Sequence, residues 1–136
     1  METDYDYDAH RVICTPEGEP YLVRFTVLKL FGWRLKLHVF VRGDEDRCLH
    51  DHPWGFWTLI LFGGYHEETR EGVKWRRPGS LLYRPAEWSH RVILGDTPAC
   101  TLVLMGPRRR SWGFLTRNGW VHWRDYLVPG RGGHEC

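Results

Sequence analysis

At 136 residues, 42% of them hydrophobic and 26% charged, the chain fits one soluble domain with a buried core. Its formal net charge of +2 at pH 7 singles out no polyanionic partner, and no run approaches the length of a membrane-spanning helix. The acidic opening METDYDYD lacks the basic start and apolar stretch of a signal peptide. Cys14, Cys48, Cys100 and Cys136 form no CxxC or CxH pairing, so free thiols in a reducing cytoplasm are the expectation.

In chain order, residues 1–20 are expected to form a weakly ordered acidic arm, because Pro16, Gly18 and Pro20 interrupt any regular element. Tyr21–Leu28 is rich in β-branched and aromatic residues and predicts a strand, and Phe31-Gly32-Trp33 predicts a turn. Leu35, Leu37, Val39 and Val41 then alternate with Arg34, Lys36, His38 and Arg42. This period of two predicts a half-buried strand with the apolar set inward and His38 on the outer face.

Further strands are expected at 47–52, 56–62, 64–69, 80–84, 89–94, 99–105 and 120–124, separated by Gly43-Asp44, Gly63-Gly64, Pro78-Gly79, Gly95-Asp96 and Gly119. No segment sustains a helical period. Many short strands at this spacing predict an all-β sandwich or barrel over residues 21–128, followed by a flexible tail at 129–136. The basic run Arg108-Arg109-Arg110 is not extended by other cations and predicts a solvated loop tip, so nucleic acid is not expected as a partner. Eight tryptophans suit a bulky core, an oligomer interface or an aromatic pocket wall. With open sheet edges they make a homodimer the expected assembly.

The chemistry concentrates in Cys48-Leu49-His50-Asp51-His52-Pro53-Trp54. On a strand, residues i and i+2 share a face, so His50 and His52 converge while Asp51 points away. Two neutral imidazoles on one face are ordinary ligands for a first-row metal. Thirty-eight residues after His52, a Pro-bearing turn at Pro85 leads to His90, whose imidazole can lie beside the first two.

These segments resemble the two motifs of the cupins. Gly43, His50, His52 and Gly63 match the first motif, with one extra residue before the HxH, and Gly79, Pro85 and His90 match the second. HDHPW followed by an apolar strand and Gly-Gly-Tyr also resembles small cupins of unassigned role in actinobacteria and their phages. The resemblance implies a jelly-roll barrel, the double-stranded β-helix, with one divalent metal on His50, His52 and His90. The sequence departs from the pattern where the family's glutamate ligand would stand, at Phe56 or Trp57, and at Glu87 and Leu94 in the second motif.

Without that glutamate, three neutral imidazoles leave the full +2 charge on the ion and favour a small anionic substrate. Cupins lacking the glutamate include iron dioxygenases for thiols, diketones and aromatic diols. The resemblance therefore implies an Fe(II) oxygenase, with Ni, Mn, Co, Cu or Zn as other occupants. Tyr83 is a candidate donor to a metal-bound oxygen. Glu67 or Glu68 could replace the absent carboxylate, and Trp54, Phe56 and Trp57 could wall the pocket. The alternatives are a metal-free isomerase or epimerase using a histidine base, and a non-catalytic binding module.

Overall fold

The computed structural model describes residues 11–14, 19–43, 47–127 and 136. Among these, the chain forms β1 (Arg11–Cys14), β2 (Pro20–Leu30), β3 (Trp33–Phe40), β4 (Leu49–His50), β5 (Phe56–Phe62) and β6 (Tyr65–Thr69). β7 (Gly72–Arg76), β8 (Leu81–Arg84), β9 (Arg91–Ile93), β10 (Ala99–Met105), β11 (Gly113–Thr116) and β12 (Gly119–His122) follow, and one helical turn, α1 (Trp123–Tyr126), closes the series. No helix among the described residues is long and apolar enough to cross a membrane.

One sheet has the order β1-β2-β3-β10-β5-β8, and every pairing in it is antiparallel. Two three-stranded sheets, β12-β11-β4 and β7-β6-β9, meet through an antiparallel backbone bridge between His50 and His90. That bridge makes them one layer. Ile60 and Ala99 from the large sheet pack against Tyr65 and Val92 from this layer, closing a two-layer jelly roll.

Turn chemistry fixes the hairpins. Phe31 and Gly32 both adopt positive φ, 51° and 81°, the primed geometry that matches the twist of β2 and β3. Between β5 and β6, Gly63 has φ 84° and lies so close to Pro98 that an added Cβ would sit 2.1 Å from the proline carbonyl.

The two faces of β3 are exchanged relative to the sequence expectation. Lys36 and His38 of β3 point inward with exposures of 0% and 8%, joined by Arg24 of β2 at 5%. Leu35, Leu37 and Val39 occupy the outer face, flanked by the exposed Phe25, Trp57, Leu81 and Tyr83. The period of two is present, but on β3 the polar side chains face the interior and the apolar ones face out.

Other differences lie in the connections and the ends. β7 and β11 form where no strand was expected, and Arg11–Cys14 pairs with β2 inside the stretch read as an arm. Residues 1–10 and 15–18 of the expected arm and 129–135 of the expected tail lie outside the described residues. Cys48 and Cys136 form a disulfide, which corrects the expectation of free thiols for this pair and removes the premise for a reducing compartment. Cys100 is a free, buried thiol.

The glycine geometry yields a test. Gly72 also has positive φ, 122°, but an added Cβ there meets nothing within 4 Å. Gly72→Ala therefore incurs backbone strain alone, whereas Gly63→Ala adds a backbone clash and should destabilise by about 1–3 kcal/mol more. Urea unfolding of the two variants checks this, and equal losses would contradict the close approach.

Candidate metal centre

The short strand β4 is held on both sides. His50 N–H donates to the His90 carbonyl at 2.9 Å, and His90 N–H returns the bond at 3.0 Å. Asp51 N–H donates to Gly113 O at 3.1 Å and His52 N–H to Ala86 O at 3.0 Å. Backbone bonds thus fix the donor positions before any side chain acts.

The three imidazoles converge, with ring centroids 5.1 Å apart for His50–His52, 5.1 Å for His50–His90 and 5.0 Å for His52–His90. One nitrogen from each lies within 4.8 Å of the others. Imidazoles sharing an ion at about 2.0–2.1 Å each stand no more than about 4 Å apart, so roughly an ångström of ring movement closes the set on a metal. Burial, then the neighbouring imidazoles, push the proton affinities of His50 and His52 well below the ordinary histidine value. Neutral rings with available lone pairs are what metal ligation requires.

Glu67 sits behind His90 rather than among the ligand nitrogens. His90 Nδ1 and Glu67 Oε2 are 2.7 Å apart, and the carboxylate is 1% exposed. Burial opposes its charge, but hydrogen bonds from His90 and Arg84 outweigh that and hold it well below the usual carboxylate range. An ionised Glu67 can only accept, so His90 Nδ1 is the donor to it and Nε2 is the nitrogen left facing the other two histidines. Arg84 Nη2 at 2.6 Å, Arg76 Nε at 3.0 Å and Trp88 Nε1 at 3.3 Å complete the carboxylate's surroundings.

A cavity of about 170 Å³ opens from the triad into the barrel. Trp54 and Phe56 line it, with the Phe56 ring 4.5 Å from His52. Trp57 does not. It is 43% exposed on the outer face, where its ring lies 5.1 Å from that of Tyr83. Tyr83 is likewise 51% exposed, because Leu82 and Arg84 take the inward positions of β8, so it cannot donate to a group in the cavity. Glu68 pairs with Arg91 of β9 and does not join the three-histidine group among the described residues.

Two supporting residues escaped the sequence reading. Asp51 is 5% exposed and accepts from Gly113 N–H at 2.8 Å and Trp120 Nε1 at 3.0 Å, with Arg110 Nη1 at 2.8 Å. Arg110 also donates to His52 O at 3.2 Å, so the last member of the basic run braces the HxH segment instead of lying free in solvent. The carboxylate inside HDH was a visible signal for this role. Its distant arginine was not.

No protein-family profile and no curated protein matches the chain. Solved structures do. A sugar phosphate isomerase of the cupin superfamily from Silicibacter pomeroyi superposes with TM-score 0.55 at 15% identity, covering 74% of this chain and 74% of its own. The DMSP lyase DddQ from Ruegeria pomeroyi gives 0.60 at 16% identity over 77% of this chain and 60% of its own. KdgF from a Halomonas species gives 0.57 at 21% identity over 67% and 84%. At these identities the likeness establishes the fold, and the chain is a cupin-type jelly roll.

Because Glu67 neutralises buried arginine charge, Glu67→Gln should destabilise the protein by about 3–5 kcal/mol. Thermal unfolding of the metal-free protein checks this, and a loss under about 1 kcal/mol would mean that solvent already screens the cluster.

Proposed function

We propose that His50, His52 and His90 bind one divalent transition metal, Fe(II) first, and that the protein is an oxygenase acting on a small anionic, chelating substrate. The observation carrying this reading is the all-nitrogen donor set. The one carboxylate behind it, Glu67, turns to the Nδ1 side of His90 and leaves the ion's charge uncancelled. A bound Fe(II) would supply Lewis acidity and a site where dioxygen and the substrate's anionic group can meet. The chain's own part is to bring three imidazoles together, orient the His90 ring through Glu67, and exclude bulk water with Trp54 and Phe56.

A metal-free isomerase with a histidine base draws on the fold shared with the sugar phosphate isomerase. It requires catalysis after complete chelation.

His50→Ala, His52→Ala and His90→Ala should each lose most of the bound metal while remaining folded, measured by metal analysis and circular dichroism. Stoichiometric metal in all three would sink the assignment. In the Co(II)-loaded protein, azide or a 1,3-diketone should shift the visible spectrum. An unchanged spectrum would point to a closed, structural metal.

We also infer a homodimer through the outer face of the large sheet. Phe25, Trp57, Leu81 and Tyr83 leave that face apolar and uncharged, so the same patch can meet itself without repulsion. At its rim Phe31 is 89% exposed, a large aromatic ring that the described residues leave uncovered. Sedimentation at tens of micromolar should give a dimer that Leu81→Asp shifts to monomer, and a wild-type monomer would refute it.

A further inference from the structure

The far end of the cavity is polar in an unusual way. Arg24 of β2, His38 of β3 and Thr101 of β10 form one cross-strand row, since Arg24 and Thr101 both register with His38, and all three line the cavity. Their exposures are 5%, 8% and 0%. His38 Nε2 and Thr101 Oγ1 are buried without a hydrogen-bond partner, a state that ordinarily costs about 1–3 kcal/mol per group unless something else satisfies it.

Cationic side chains gather at this end. Lys36, fully buried, lies two residues before His38 on the same inward face. Burial first, then Arg24 and Lys36, lowers the His38 pKa to about 3, so this ring is neutral and can donate through one nitrogen. Asp51 is the one carboxylate among the described lining residues, and Arg110, Gly113 and Trp120 already engage it.

We propose that Arg24, His38 and Thr101 form an anion subsite at the far end of the triad's cavity, so that the ligand is a small organic dianion. One of its ends chelates the metal and the other, a carboxylate or phosphate, is held by this row. The identity of the first anchor rests on the three-histidine reading; the second anchor does not. Thr101 stands four residues along β10 from Met105, which registers with Phe56 beside His52. That is about 13 Å of strand, so the two anionic groups are several bonds apart. Arg24 provides a planar fork for the terminal oxygens, while the Thr101 hydroxyl and the His38 ring add single donors.

Calorimetric titration with glutarate and with valerate, which share a chain length and differ by one carboxylate, tests this. The protein is loaded with redox-silent Zn(II). Glutarate should bind at least tenfold more tightly than valerate. Arg24→Gln should abolish the preference at unchanged metal stoichiometry, and the shape-matched Thr101→Val should reduce it severalfold. Equal affinities in the wild type would overturn the subsite, as would an undiminished preference in folded Arg24→Gln. Should Arg24→Gln fail to fold, Thr101→Val decides by the same criterion. Repeating the titration on metal-free protein separates the two readings. A glutarate preference that persists there and vanishes in the variants upholds the subsite even if the triad holds no metal.

Discussion

The structure turns on one buried carboxylate. Glu67, on β6, gathers Arg76 from β7, Arg84 from β8, Trp88 from the following turn and His90 at the entrance to β9. An isolated charge at that depth would be strongly disfavoured, and two guanidiniums and two ring N–H groups make it tolerable. The same carboxylate orients the His90 ring. Core electrostatics and the candidate donor set therefore share one residue, and the site cannot be loosened without disturbing the joint between the two layers.

A second constraint follows from the polar interior. The large sheet turns Arg24, Lys36, His38, Thr58 and Thr101 inward, where an ordinary sandwich would place aliphatic side chains. The apolar burial this forgoes is only partly recovered by the Ile60–Tyr65–Val92–Ala99 cluster at one end and the Trp54–Phe56–Val103–Met105 cluster near the histidines. Between them lies the cavity. Such an interior makes sense when the polar row faces a ligand, and it leaves the leucines of β3 and β10 on the opposite face, where only another surface can bury them fully.

This arrangement explains which features were legible in the sequence. The strand spacing, the glycine separators and the HxH with its later histidine are local patterns, and the architecture and the triad follow from them. The β3 alternation was equally visible, but a period of two separates two faces without saying which is inside. Assigning the apolar set inward failed for a strand that lines a polar cavity. Tyr83 and Trp57 were misplaced for a related reason. Each sits one residue from an inward position, and a single step along a strand reverses the face. Glu67 was singled out, but its role required knowing that β6 pairs with β9, a contact between residues far apart in sequence. The disulfide was illegible for the same reason, since 88 residues separate its ends.

The donor geometry owes more to backbone than to side chains. β4 is two residues long, too short to hold its place by strand propensity, yet it carries His50 and leads directly to His52. β11 registers Phe114 with His50 on one side, the His90 bridge flanks it on the other, and Asp51 clamps its exit to Gly113 and Arg110. An added Cβ at Gly113 would fall 2.2 Å from the Val121 carbonyl, so this clamp depends on a residue with no side chain. His50 and His90 thereby hold each other through reciprocal main-chain hydrogen bonds, His52 is held by the Ala86 carbonyl, and the His90 ring is oriented by a carboxylate on its far side. The imidazoles are held close together from outside, before any ion is present, and binding an ion then has little conformational entropy left to overcome.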